Sequence, residues 1–132
     1  MATPRELEPQ HTLVTAVARF DDLRMRDALA DAGPGGSPPL TREESLELLA
    51  LGEVIWRKVG YGRQLMVRSA RAAGASWAQI GAALGSSKQA AWEAHGRWIE
   101  DQAGQHRRTG IEGLSEADVA TARALAGRPD DT

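Results

Sequence analysis

The side chains with the clearest chemistry are three consecutive polar residues, Ser87, Lys88 and Gln89. A glutamine amide pairs two-fold with adenine, a lysine ammonium donates to guanine O6 and N7, and a serine hydroxyl both donates and accepts. Trp92 and Glu93, one helical turn further on, are weaker candidates for the same contacts. The pattern predicts contact with base edges in the major groove of duplex DNA through Ser87, Lys88, Gln89, Trp92 and Glu93.

Residues around this group could hold the phosphates of the same duplex. A helix start at Ser76 offers free backbone N–H groups, which bind anions. Arginines precede and follow the segment, and a guanidinium is suited to phosphate. A solvated surface charge is the more common role for any single arginine. With that alternative open, the predicted phosphate-binding residues are Arg68, Arg71, Ser76 and Arg97.

Residues 76–96 have the spacing of two short helices that meet at a tight turn. Ser76 is a good N-cap, and Ile80 and Leu84 are four residues apart on one helix face. Gly85 supplies a left-handed turn, and Ser86 or Ser87 caps the next helix. Gly81 lies where two crossing helices must approach closely. We expect a helix-turn-helix here, with Ala91, Ala94 or His95, and Trp98 facing inward.

Residues 74–93, GASWAQIGAALGSSKQAAWE, resemble the helix-turn-helix of a large group of bacterial, especially actinobacterial, DNA-binding proteins. The resemblance extends over about residues 63–98 and does not reach residues 1–60. It implies binding of duplex DNA, usually in transcriptional control. Ser86 departs from the valine or isoleucine that packs after the turn in that group, and Lys88 replaces an arginine.

The net charge of −2 conceals an uneven distribution. Residues 1–56 carry five basic and ten acidic side chains, and residues 109–132 carry two and five. Residues 57–108 carry nine basic and three acidic side chains, a net charge of +6. The basic block coincides with the motif, as neutralisation of phosphates requires.

Helical periodicity and the absence of any strand pattern predict an all-α helical bundle that contains a tri-helical helix-turn-helix unit. We expect a frayed arm over 1–10, a helix over 11–31 and a Pro/Gly linker over 32–39. Thr41 and Glu44 form a capping box that opens a helix to about Lys58. Gly60-Tyr61-Gly62 breaks or bends this helix before another helix over about 63–73. A loop over 104–113 and a short helix opened by Ser115 complete the chain. The predicted segments are 1–39, 40–62, 63–103 and 104–132.

The helix over 41–58 is apolar on two sides. Leu48, Leu51 and Ile55 form one face, and Leu46, Leu49 and Trp56 form another. Such a helix buries both faces, one in its own domain and one against a partner chain, so we expect a homodimer. Dimers read two half-sites about one helical turn, or roughly 34 Å, apart. Of the four tryptophans, we expect Trp77 on the preceding helix, Trp92 in a core or interface, and Trp56 and Trp98 in the core.

The sequence lacks the residues that several classes of function require. The chain has no cysteine, and the histidines at 11, 95 and 106 are scattered. We therefore expect no catalytic residues, no metal site, no cofactor and no enzymatic activity. The first ten residues are not followed by an apolar run, and nothing approaches eighteen uninterrupted apolar residues. We expect a cytoplasmic, nucleoid-associated protein without membrane contact, and the sequence leaves any small-molecule effector unknown.

Two other interpretations remain open. A helix-turn-helix-like unit that has lost its DNA face could bind another protein, and Ser86 and the acidic ends favour that alternative. The chain could also be the DNA-binding component of a mobile element or of an antitoxin pair.

Overall fold

In a computed structural model, the residues that the structure describes, 2–30 and 33–131, contain helices and no strand. The predicted all-α class is confirmed. A turn of 3-10 helix, Glu8–Gln10, follows the first α-helix. The α-helices of these two ranges are α1 (Pro4–Leu7), α2 (Leu13–Ala30), α3 (Arg42–Ala72), α4 (Trp77–Leu84), α5 (Lys88–Thr109) and α6 (Glu116–Ala126).

The chain divides into two compact units, residues 1–62 and residues 63–132. The first contains α1, α2 and the N-terminal part of α3, and the second contains the rest of α3 with α4, α5 and α6. Each unit has its own hydrophobic cluster. The segments predicted at 1–39 and 40–62 thus share one unit.

In the first unit, α2 packs against α3 and the N-terminal residues join the same core. The buried side chains are Leu7, Ala16, Leu23, Ala50, Leu51 and Val54. Arg19 donates two hydrogen bonds of 2.9 Å to the carboxylate of Glu47. These bonds lower the pKa of Glu47. The predicted capping box is confirmed, because the Glu44 amide donates to Thr41 and the Thr41 amide donates to Glu44.

Two predictions for the N-terminal region are wrong. Residues 2–10 are not a frayed arm, because Thr3 caps α1 and Leu7 is buried in the core. In α2, Phe20 and Leu23 pack inward, but Leu13 and Val17 are exposed. The buried stripe runs through Ala16 instead, since a small side chain allows α3 to approach. The predicted end of this helix at residue 31 and the start of the linker at residue 32 lie outside the described residues.

Of the break or bend predicted at residues 60–62, the break is wrong, because α3 is continuous from Arg42 to Ala72. Gly60 and Gly62 both take helical positions with open space around their Cα atoms. Two helical glycines cost about 2 kcal/mol relative to alanine. The packing of Val54 in one unit and of Val67 in the other holds the helix on both sides of the glycines, so the helix continues through them.

Trp56, predicted in the core, is exposed, whereas Trp98 packs against the core of the second unit. That core is formed by α3, α4, α5 and α6 around the fully buried indole of Trp77. The Trp77 Nε1–H donates to the carbonyl of Ala126 over 2.7 Å and ties α4 to the end of α6. Ser115 caps α6 as predicted, since its Oγ accepts the N–H of Asp118.

Helix α5 runs to Thr109, so the predicted loop over 104–113 begins six residues too early. Ala103 is buried in the core and holds the helix on that side of Gly104. The chain leaves the helix at Gly110, whose φ is +73°. The segment that follows returns over α5, because the Leu114 amide donates to the carbonyl of Gln102 over 3.2 Å.

Candidate nucleic-acid interface

The connection between α4 and α5 is a tight turn of three residues, Gly85 to Ser87. Gly85 ends α4 with a φ of +71°, the left-handed conformation predicted for it. The amide of Ser86 donates to the carbonyl of Gly81 over 2.8 Å and closes the turn. The side chain of Ser86 is exposed. The turn therefore closes through its backbone, without an apolar side chain at position 86.

Gly81 is the residue at which the two helices come closest. A Cβ added there would lie 2.8 Å from the carbonyl carbon and oxygen of Ser87 and 2.9 Å from the amide nitrogen of Lys88. These are backbone atoms, which cannot rotate away from a new methyl group. Glycine at 81 therefore sets the position of the first turn of α5 relative to α4.

Both predicted caps are present, and each uses its serine hydroxyl. Ser76 Oγ accepts the N–H of Gln79 over 3.1 Å, and the Gln79 side chain accepts the N–H of Ser76 over 2.9 Å. Ser87 Oγ accepts the N–H of Ala90 over 3.1 Å. Both serines thus begin helices, and Ser87 also lies exposed at the start of α5.

The exposed face of α5 brings together Gln89, Glu93 and Arg97. They follow one another at intervals of four residues, which places them on one side of a helix. The Gln89 side-chain amide donates to the Glu93 carboxylate over 2.8 Å. This face offers an amide, a carboxylate and a guanidinium, an assortment of donors and acceptors that matches base edges and backbone oxygens.

Lys88 and Trp92 point away from that face, toward the C-terminal residues. The Lys88 ammonium lies 2.5 Å from the Asp130 carboxylate, and its hydrogen bond lowers the pKa of Asp130. The Trp92 Nε1–H donates to the carbonyl of Gly127 over 2.8 Å. Of the five predicted base-contacting residues, Gln89 and Glu93 thus face outward, and Ser87 is exposed at the start of α5. The other two, Lys88 and Trp92, are engaged by Asp130 and Gly127.

Arg68 and Arg71 also have partners within their own unit. Arg71 donates to the carbonyls of Leu125, over 3.1 Å, and Ala75, over 3.0 Å, and its guanidinium lies over the ring of Trp77. Arg68 lies 5.9 Å from the ring centre of Trp98. Sequence reasoning missed the role of Arg71 in holding α6, since its carbonyl partner is 54 residues away. Arg97 is exposed, as a phosphate contact requires.

His95 is a buried histidine with a polar partner that sequence reasoning did not find. Its Nδ1 lies 2.9 Å from Oε1 of Gln64, an arrangement in which the neutral ring donates. The ring packs between those of Trp77 and Trp98, with centroids 5.5 and 5.3 Å away. Burial lowers the pKa of His95, and the nearby charge of Arg68 lowers it further. The prediction of an inward-facing residue at 94 or 95 is met by His95.

Within residues 2–30 and 33–131, no group of three or more histidine, aspartate and glutamate side chains is arranged to hold a metal ion. In the same part of the chain, no helix is long and apolar enough to cross a membrane. Comparison of the chain with protein-family models, with curated proteins and with solved structures found no match.

Proposed function

We propose that this protein is a sequence-specific reader of duplex DNA, a bacterial transcriptional regulator that acts as a homodimer in the cytoplasm. In this proposal α4 and α5 form a helix-turn-helix, with the C-terminal part of α3 as its third helix. The observation that carries it is the backbone contact at Gly81, which holds the exposed first turns of α5 at a set angle to α4. A helix supported in this way can enter a major groove with its N-terminal residues at the base edges.

The outward face of α5 supplies the proposed base contacts. Gln89 has the geometry to pair with an adenine, and Glu93 can accept from cytosine N4. Their mutual hydrogen bond orients the Gln89 amide before DNA arrives. Arg97, two turns further along, is placed to hold a phosphate. Ser87 and Lys88 lie at the start of α5. On DNA binding, Lys88 leaves Asp130 and binds a base or a phosphate.

The charge of the chain supports the same proposal. The net charge of +6 between residues 57 and 108 covers α4 and almost all of α5. Each phosphate that a cationic side chain neutralises releases condensed counterions. The logarithm of the binding constant then falls with the logarithm of the salt concentration, with a slope of about −0.9 per phosphate.

The proposal is tested by binding selection from a pool of randomised duplexes, followed by fluorescence anisotropy with the enriched sequence. Wild-type protein should enrich a defined sequence and bind it more weakly as salt rises. Lys88→Ala combined with Gln89→Ala should abolish the preference for that sequence while leaving weak, salt-dependent binding. Each lost bidentate base contact should weaken specific binding by about 1–3 kcal/mol.

A matched control changes the net charge by the same amount, through the same two residue types, at other positions in the chain. Lys58→Ala combined with Gln10→Ala removes the same two side-chain types from residues 1–62, outside the proposed reading unit. This variant should retain the sequence preference. The absence of any enriched sequence for the folded wild-type protein, together with no binding at low salt, would reject the proposal.

The contact between Lys88 and Asp130 favours a second candidate, a protein-binding module with a helix-turn-helix-like fold. The Asp130 carboxylate pairs with Lys88 at the start of α5, a cation that a DNA reader would present to the duplex. Chromatography on a DNA or heparin resin separates the two candidates. Retention that salt reverses supports the DNA reader. Passage through the resin, with capture of RNA polymerase or a regulatory protein, supports the protein-binding module.

A further inference from the structure

The first unit exposes an apolar stripe along α3. Leu49 is 72% exposed, Trp56 75% and Val59 40%, although all three are large hydrophobic residues. Gly52 lies between them on the same side of the helix. We name these four residues the α3 stripe: Leu49, Gly52, Trp56 and Val59. Their spacings of three, four and three residues are those of a coiled-coil seam, the pattern by which one helix packs along another.

We infer that the α3 stripe is a self-association surface, on which a second copy of this chain packs with its α3 antiparallel to the first. The evidence for a second copy is the order of large and small residues in the stripe. In an antiparallel pair centred on residue 54, Trp56 of each copy lies opposite Gly52 of the other, and Leu49 opposite Val59. The largest side chain of the stripe, Trp56, then meets its smallest residue, Gly52, and the two-fold axis makes the arrangement self-complementary.

The alternative parallel register fits poorly. In that register Trp56 would face Trp56 of the second copy, and Gly52 would face Gly52. The layer with two tryptophans would be overfilled, and the layer with two glycines would be empty. Both faults are costly, because interfaces pack to the density of protein interiors. The size order of the α3 stripe therefore selects the antiparallel direction.

The neighbourhood of the stripe is compatible with a second copy. Glu53 and Arg57, on one flank, form an ion pair of 3.0 Å with each other and so leave no net charge there. On α2, the ring of Phe20 lies 3.4 Å from the position that a Gly52 Cβ would take. Phe20 thus lies beside Gly52, at the edge of the place where Trp56 of the second copy packs in this inference. Exposed Leu13 and Val17 lie on the same side of α2 as Phe20 and can extend the apolar contact.

The inference rests on the homodimer of the proposed function, to which it gives a surface and a direction, but not on the proposed DNA binding, and it is tested without DNA. Sedimentation equilibrium of the full chain across the micromolar range should show a reversible monomer–dimer equilibrium. Trp56→Ala should raise the dimer dissociation constant by at least about tenfold, because central tryptophans dominate interfaces. Tyr61→Ala removes another exposed aromatic residue from the same unit but off the stripe, and it should leave the dissociation constant unchanged.

The absence of native cysteine allows the register to be tested by disulfide formation. A mixture of Leu49→Cys and Val59→Cys proteins should form a disulfide-linked heterodimer under mild oxidation. Leu49→Cys alone should not, because in the antiparallel register its two copies lie about 15 Å apart along the helix, beyond the reach of a disulfide. Circular dichroism of each variant verifies the fold.

Three results would overturn the inference. These are a monomer at every concentration, a Trp56→Ala protein that dimerises as tightly as the wild type, and Leu49→Cys cross-linking to itself as readily as to Val59→Cys. The first two remove the α3 stripe as an interface, and the third replaces the antiparallel register with a parallel one. Loss of DNA binding with dimerisation intact would reject the proposed function alone.

Discussion

The protonation of a single residue, His95, affects the stability of the core of the second unit. The ring packs between two tryptophans, and Gln64 Oε1 accepts the hydrogen bond that Nδ1 donates. Protonation would place a charge in that apolar setting beside the cation of Arg68, so the neutral form is favoured in the folded protein. The core of the proposed reading unit is therefore built around an uncharged imidazole.

This arrangement predicts a pH dependence of stability. The pKa of His95 is lower in the folded chain than the value of 6.5 that it has when exposed. Below that value the unfolded chain binds more protons, so the free energy of unfolding should be highest above about pH 6.5 and fall as the pH drops. Urea unfolding of the wild type at a series of pH values measures the fall.

The contribution of His95 is isolated by comparing variants. His95→Asn keeps an amide near the position of Nδ1 and cannot be protonated, so the part of the fall that begins below about pH 6.5 should become smaller. The same substitution at His11, in the other unit, should leave the fall in place. Equal slopes for wild type and His95→Asn would refute the assignment.

At the scale of elements, the orientation of α5 depends on the helix contact at Gly81. The backbone of Ser87 and Lys88 fills the space that any side chain at 81 would need. Caps at Ser76 and Ser87 define where each helix starts, and Gly85 sets the direction of the turn between them. The exposed positions of Gln89 and Glu93 follow from these local constraints together.

Gly81→Ala should therefore push α5 away from α4. We expect a loss of about 1–3 kcal/mol of stability, the usual effect of overpacking, and a loss of specific DNA binding larger than the stability loss alone explains. Gly96→Ala is the matched control. Gly96 lies exposed within α5 with no atom near the new Cβ, so alanine should stabilise the protein by about 0.5–1 kcal/mol. Thermal unfolding and anisotropy on the same samples test both variants.

At the scale of the whole molecule, acidic ends flank a basic centre, and one of them folds back. The C-terminal residues are tied to the second unit by the Trp92 bond to Gly127 and by the Arg71 bond to Leu125. Asp130 is thereby held against Lys88 at the start of α5. If α5 enters DNA, this carboxylate competes with the phosphates for Lys88.

Asp130→Asn should consequently strengthen DNA binding by about two- to fivefold at low salt, a modest gain because exposed ion pairs contribute little. The gain should shrink as the salt concentration rises. Asp21→Asn changes the net charge equally but lies on α2, in the other unit, and should have a much smaller effect. Equal effects of the two substitutions in anisotropy titrations would show that only net charge matters.

Local chemistry made part of this structure predictable. The caps at Thr41, Ser76 and Ser115 and the left-handed Gly85 depend on neighbours within a few residues, and all were predicted. The cap of α5 was predicted at Ser86 or Ser87, and Ser87 forms it. The break at residues 60–62 was predicted wrongly because intrinsic propensity opposes a helix there, while packing on both sides supports one. Trp56 was misplaced because an apolar residue on a helix does not reveal which of two faces is covered.

The sequence by itself determined the all-α class, the helix starts after Thr41, Ser76 and Ser115, the turn at Gly85 and the concentration of positive charge between residues 57 and 108. Only the tertiary structure decided which of the predicted contact residues face outward. Gln89, Glu93 and Arg97 do, whereas Lys88 is held by Asp130 and Arg71 by carbonyls at the chain end. The physical reason is distance along the chain. Spacing specifies one face of one helix, but partners 42 to 60 residues away are brought together only by folding.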